Sequence, residues 1–228
     1  MADTYELHYW PIPFRGHFIR YVLAYVGATW TEPNFPEMAA FKDRPVAEKP
    51  YPFIAPPVLH DQEKDIWVSQ LPAIMMYLGR KHDLLSDPDQ TLRLICDGSD
   101  ILFEITRGHG AQMWDREAWE AFLPRLETWM QLHERLAVEF GTTAGQGYMF
   151  GADRPMLADL SLAALWHTMI DRLPTLRDLL HVQAPTVEGL VDRIALVPEV
   201  AALRAQWADS DPRYCAGQIE RSLFEILE

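Results

Sequence analysis

Tyr5-Glu-Leu-His-Tyr9-Trp-Pro-Ile-Pro-Phe-Arg15-Gly-His-Phe-Ile-Arg20-Tyr-Val-Leu-Ala-Tyr25 passes from one periodicity to another within twenty-one residues. Tyr5 to Trp10 alternates, with Leu7 and Tyr9 on one face and His8 and Trp10 on the other, as in a strand covered on both sides. From Arg15 onward Phe18, Ile19, Val22, Leu23 and Val26 recur at helical spacing, and Gly27 is a natural stop. Pro11 and Pro13 stiffen the loop between. A strand, loop and helix joined this way bring side chains and helix N-terminal amides to one spot. Amides and a phenol meeting there can hold an anion or a bound thiol. The loop carries Tyr9 and no cysteine, so the segment is a candidate site.

Working outward, Ala28 to Phe35 can supply a second strand, followed by a short helix around Glu37 to Asp43. Lys49-Pro-Tyr-Pro-Phe-Ile-Ala-Pro-Pro-Val-Leu-His-Asp61 holds four prolines, which forbid a helix and predict an extended approach to a strand near Val58–His60. A turn at Gln62–Asp65, a returning strand at Ile66–Val68 and a helix opening near Ser69-Gln-Leu-Pro72 complete a small mixed α/β layer. Ser69 reads as the N-cap, because Pro72 fits only in a first turn. After the polar stretch His82–Gln90, strand signals stop. Helical patterns follow at roughly 91–108, 116–140, 157–173, 185–196 and 199–208. This change of class predicts a domain at 1–82, a linker at 83–90 and an all-helical domain at 91–228.

The 228 residues are ample for a buried core, and 49% hydrophobic with 23% charged is ordinary for a globular chain. Twenty Lys plus Arg against 33 Asp plus Glu give a net charge of −13, which repels phosphate backbones and argues against nucleic acid as a partner. An anionic ligand must then be met by a local basic cluster. The start, Met1-Ala-Asp-Thr, has no signal-peptide pattern, and no apolar run approaches ~20 residues, so neither secretion nor a membrane span is expected. Cys96 and Cys215 are far apart and fit no metal spacing, and the eight histidines show none either. A reduced, cytoplasmic setting without a metal site is the expectation.

Tyr9-Trp10 at the strand end, Ile19-Arg20 and Leu23, Pro-Val-Leu before the third strand, Gln70 with Ala73-Ile74 and Tyr77-Leu78, and Ala158-Asp159 follow one another in a familiar order. Over nearly the whole chain this order resembles the cytosolic glutathione transferases, nearest the tyrosine-type and bacterial members. The resemblance implies an α/β N-terminal thioredoxin-like domain plus an all-α C-terminal helical domain, and a cytoplasmic homodimer. It implies detoxification chemistry in which glutathione is a co-substrate, with no permanently bound cofactor, and the second partner is a hydrophobic electrophile.

On that resemblance Tyr9 is the catalytic residue. A glutathione thiol has a reference pKa of about 8.5, and a phenol O–H donated to sulfur stabilises the thiolate. A tyrosine here can also be a core residue with a satisfied hydroxyl. Arg15 stands where relatives often carry a basic residue that steadies the tripeptide, or it is a solvated first-turn arginine. Lys42, Arg44 and Lys49 form the basic run near the site, and Lys49, just before the proline segment, is the choice for the glycine carboxylate. Pro57 resembles the cis-proline of thioredoxin-like folds. Pro56 before it has no N–H and can offer glutathione only its carbonyl. Gln70 and Leu71 fall where the family reads Gln-Ser or Glu-Ser, and Leu71 leaves the γ-glutamyl carboxylate to Gln70, backbone amides and the helix dipole. Asp159 is read as a structural cap, and Asp100 as a position from which some relatives reach across a dimer. The electrophile pocket is assigned to Trp10, Phe14, His109, Met113 and Trp114, with Trp166 as a further candidate. Gly108-His-Gly110 interrupts the helical pattern beside it. The reading is a glutathione transferase acting on an apolar electrophile. The alternatives are a non-catalytic ligand- or partner-binding relative and a glutathione-dependent isomerase or peroxidase.

Overall fold

A computed structural model of the chain describes residues 4–208, 214–215 and 217–227. Strands β1 (Thr4–His8), β2 (Thr29–Thr31), β3 (Val58–Asp61) and β4 (Ile66–Ser69) form one sheet in the order β2-β1-β3-β4. β1 runs parallel to β2 and antiparallel to β3, with Leu7 opposite Leu59 and His8 opposite Val58. The alternation of β1 is spent as its side chains suggest. Leu7 and Leu59 are fully buried in the main core with residues of α1 (Phe14–Tyr25) and α3 (Leu71–Lys81). Val58 joins Met38 and Phe41 of α2 (Phe35–Asp43) in a second cluster, where His8 stacks on Phe41 at 4.1 Å. Asn34 starts α2 by a reciprocal pair of bonds with Glu37, each 3.0 Å, which satisfies two end amides.

The rest is helical: α4 (Pro88–Ile105), the single turn α5 (Arg107–Gly110), α6 (Arg116–Glu139), α7 (Leu157–Leu162), α8 (Thr168–Arg172), α9 (Thr175–Gln183), α10 (Pro185–Ala195), α11 (Pro198–Ala208) and α12 (Gly217–Leu227). Asp87 and Asp115 cap α4 and α6 through the amides of Gln90 and Ala118. A π turn at Ala163–His167 links α7 to α8 without a break. The fully buried Asp159 accepts from the amides of Met149 and Met156, at 2.8 and 2.9 Å, and so ties the start of α7 to the preceding loop. Burial pushes its carboxyl up to about 7 against those two bonds. No described helix is long and apolar enough to cross a membrane.

Several sequence expectations shift. β1 ends at His8, one residue before Tyr9, and β2 is only three residues long. Ser69 closes β4, and Gln70 rather than Ser69 takes the N-cap of α3, because Leu71 and Pro72 fill its first turn. α4 stops at Ile105, short of 108. Helices α9 and α12 were not foreseen. The nine residues of α9, set between Pro174 and Pro185, carry too short a stripe, and its buried side chains are Leu176 and Leu180.

Candidate active site

A cavity of about 540 Å³ opens where the loop after β1, the approach to β3 and the start of α3 face α4, α5 and α12. Its size suits a small-molecule ligand. On the α/β side the walls are Tyr9, Trp10, Phe14 and Arg15, with Pro56, Gln70 and Leu71 across from them. Sequence-distant positions thus converge on one hollow.

Tyr9 sits just past the strand end and is 3% exposed. Its hydroxyl oxygen accepts the backbone N–H of Arg15 at 3.2 Å, which leaves the phenolic proton available to a group in the cavity. Burial pushes this phenol up to about 12, against the opposing pull of Arg15 and Arg20, so it stays protonated at neutral pH. The placement rests on Arg20, a fully buried guanidinium. Arg20 donates to the carbonyls of Ile12 and Trp10 at 2.8 and 3.2 Å, fixing the proline loop, and forms a two-pronged pair with Glu32 at 2.9 and 2.6 Å. Glu32 also accepts the indole N–H of Trp30. Gly16 lets these groups pass: a Cβ there would stand 2.5 Å from the Tyr9 ring and overlap the Arg20 guanidinium.

Arg15 is half-buried, lies 4.9 Å over the Phe14 ring and donates to the Ser99 carbonyl of α4 at 3.1 Å. Burial lowers its pKa, while Tyr9, Tyr214 and Asp100 act in the opposite sense. Arg15 therefore joins the two halves of the cavity rather than standing in solvent. Asp100 lines the same cavity. Lys49 does not. Its ammonium donates to the Phe53 carbonyl at 3.0 Å and lies 4.2 Å over that ring. Lys42, from the same basic run, lines the cavity and pairs with Asp43.

Opposite Tyr9, the Pro56–Pro57 bond is cis and both prolines line the cavity. Gln70 holds φ 74° and ψ 128°, a conformation that costs a non-glycine residue on the order of 1–3 kcal/mol. Its side chain makes no cap bond, so the first amides of α3 keep their donors for something else. Leu71, the first helical residue, is 1% exposed.

Of the proposed electrophile wall, Trp10, Phe14 and His109 line the cavity, while Met113 and Trp114 do not. Trp114 is core: its indole donates to the Ile105 carbonyl at 2.8 Å, its backbone N–H to Ser222 at 3.1 Å, and its ring packs on Trp119 and Phe122. Its hydrogen-bond partners pull it under α4 and α12, away from the opening. Trp166 is likewise buried, bonded to His133 at 3.0 Å. The structure adds Phe103 and Thr106 from the end of α4 and Cys215 and Ile219 from the last segment. Ile219, Leu223 and Ile226 recur at helical spacing, which was the available signal for α12.

A thioredoxin-like α/β layer facing an all-helical half across a ligand-sized cavity defines the class of fold. The family model described as "Glutathione S-transferase, C-terminal domain" matches residues 90–226, more than half of the chain. The chain belongs to the glutathione S-transferase family. Among solved structures it is similar to the Pi-class glutathione S-transferase of Onchocerca volvulus, at 16% identity and a TM-score of 0.75, covering 94% of this chain and 99% of that one. A major nematode-specific glutathione transferase of C. elegans aligns at 18% identity and 0.67, covering 92% and 98%. The prostaglandin synthase D of Nilaparvata lugens aligns at 18% and 0.61, also covering 92% and 98%. No curated protein matches significantly in sequence. At these identities the solved structures speak to the fold.

Proposed function

We propose that the chain is a glutathione transferase that joins the thiolate of glutathione to an apolar electrophile. The observation that carries this reading is the state of Tyr9: buried at the cavity wall, its oxygen occupied by the Arg15 amide and its proton unspent. A phenol held up to about 12 stays a donor across the working pH range, and a donated O–H draws the bound thiol toward thiolate. The sulfur lone pair then attacks the electrophile, held beside it by Trp10, Phe14 and His109, so that a bimolecular step becomes an oriented one.

In the same reading Gln70, the Leu71 amide and the Pro56 carbonyl meet the γ-glutamyl and cysteinyl parts of the tripeptide, with Arg15 alongside. Lys42 replaces Lys49 at the glycine carboxylate, because Lys42 lines the cavity and Lys49 does not. The reading divides the chain into a glutathione-binding domain at 1–82, a linker at 83–90 and a helical domain at 91–228. It carries the family's expectation of a cytoplasmic homodimer engaged in detoxification. A second reading, a relative that binds ligands or partners without catalysis, is favoured by Leu71 and Pro56, which remove one hydroxyl and one N–H from the tripeptide cradle.

Retention on immobilised glutathione, with conjugation of a generic aromatic electrophile, separates the two. Retention of wild type and Tyr9→Phe, with activity confined to wild type, is the result expected of the enzyme. Retention without any conjugation selects the binding protein, and absence of both removes glutathione from the account.

A further inference from the structure

A second cavity, of about 780 Å³, lies between β2 and α11. Trp10 and Ile12 line the first cavity, whereas Pro11 between them lines the second, so one proline loop walls both. The two share no lining residue and are separate hollows. The second is apolar on most sides, with Pro11 and Trp30 from the α/β layer and Leu203 and Trp207 from α11. Both indoles are partly exposed. Glu32 and Gln206 add polar groups. A few polar groups set among apolar and aromatic walls, at this size, suit a small molecule.

Glu32 is the one charged residue among the described residues that line it. Its carboxylate is 23% exposed, while the guanidinium of its partner Arg20 is fully buried. The cavity therefore meets the negative member of the pair, with the positive one behind it. A carboxylate has about four acceptor positions. Oε1 takes Arg20 Nε and the Trp30 indole N–H, each at 2.9 Å, and Oε2 takes Arg20 Nη2 at 2.6 Å. One position on Oε2 is left for a further donor. The Trp207 ring already shows its affinity for positive charge, since the Arg20 guanidinium lies over it at 4.3 Å from the centroid.

We propose that the second cavity binds a planar aromatic cation, of the class of protonated aromatic amines and N-heterocycles. Its rings lie against Trp30 and Trp207, and an N–H at its edge meets the Glu32 carboxylate. The apolar walls favour a flat ring over a hydrated ion, and the indoles attract a delocalised positive charge. The carboxylate turns away an anionic ring of the same shape. The net charge of −13 draws cations toward the chain as a whole, and Glu32 gives them a place. This site goes beyond the transferase reading and does not depend on it, because neither Tyr9 nor the glutathione positions take part.

The test uses the full chain and the fluorescence anisotropy of proflavine, a flat cation with amino groups at its edge. Wild type should bind it saturably. Gln206 is exposed on α11, so charge can be placed there without disturbing the core. Gln206→Arg should weaken binding roughly tenfold or more by setting a like charge at the site. Gln206→Glu should hold or tighten it. Gln131→Arg makes the same charge change on α6, which lines neither cavity, and should leave binding unchanged. Tyr9→Phe should bind as wild type does. The anionic probe anilinonaphthalene sulfonate should not be weakened by Gln206→Arg. Thermal unfolding should show both Gln206 variants as stable as wild type. Absence of saturable binding overturns the proposal. So do equal losses in Gln206→Arg and Gln131→Arg, and so does equal weakening by Gln206→Arg and Gln206→Glu.

Discussion

Around Tyr9, one end of the cavity is densely bonded. Its oxygen is met by a backbone amide, its ring passes Gly16 with no room for a methyl group, and the loop behind it hangs on Arg20, which is bonded in turn to Glu32. Around the start of α3, the other end offers mainly backbone: a strained Gln70 whose side chain makes no cap bond, the apolar Leu71 and the imino residue Pro56. The difference separates two physical tasks. Presenting one O–H at a fixed point demands a rigid frame, which takes buried side-chain bonds. Favouring a carboxylate near a helix start needs little more than free amides and the helix dipole, and tolerates the loss of a side chain at modest cost.

Three substitutions would break or sharpen that contrast. The largest effect belongs to the frame. Glu32→Ala leaves the fully buried Arg20 without its carboxylate, and breaking a buried pair in this way costs about 3–5 kcal/mol. Urea unfolding should show a midpoint lowered accordingly, and an unmoved midpoint would mean that the frame is not held by this pair.

Tyr9→Phe comes next. It keeps the ring and removes the donor, so conjugation should fall by roughly 10² in kcat/KM, the scale of a lost donor to a developing or stabilised anion. The pH profile fixes the sign. The phenol lies at about 12 and stays protonated in the working range, so the rising limb of kcat/KM belongs to the glutathione thiol. Without the O–H, that limb should move up toward the free thiol's pKa of about 8.5. A limb that stays in place would show that Tyr9 does not touch sulfur.

The smallest change is a gain. Leu71→Ser restores a hydroxyl at the first residue of α3, and a hydrogen bond to a charged group is worth about 1.5 kcal/mol at the lower end, near tenfold in affinity. Calorimetric titration with glutathione should show tighter binding with little change in kcat. No gain would indicate that the γ-glutamyl carboxylate does not meet this helix start.

Much of the layout was legible because it is written in local pattern. The alternation through Leu7 and His8, the helical stripe from Phe18 to Val26 and the four prolines before Val58 each specify an element on their own. The candidate site was legible chiefly where it follows those elements: Tyr9, Trp10, Phe14, Arg15, Pro56, Gln70 and Leu71 all reach the cavity because short loops fix their position, and His109 reaches it from the Gly108-His-Gly110 break. What escaped depends on contacts made across the fold. Lys49 and Lys42 lie in one basic run, and Lys49 is held on the carbonyl and ring of Phe53 while Lys42 lines the cavity. Trp114 follows the glycine break as Met113 does, yet the Ile105 carbonyl and Ser222 draw it into the core. Cys215 and Ile219 are far from Tyr9 in sequence, and nothing local announces that they share its cavity. The left-handed backbone of Arg107 and His109 was also hidden, since Gly108 and Gly110 mark a break without stating its direction.

Ile219, on the last helix, and Tyr9, beside the first strand, wall the same hollow. For a chain made from its N-terminus, the sheet and the tyrosine come early, the facing wall from Ser99 to His109 follows, and the part given by Cys215 and Ile219 comes later still. Contacts this distant in sequence form late and slowly. The hollow therefore stays open on the side of Cys215 and Ile219 until those residues are made, long after the α/β layer can settle. The closed cavity is a property that arrives only once α12 has docked against the rest.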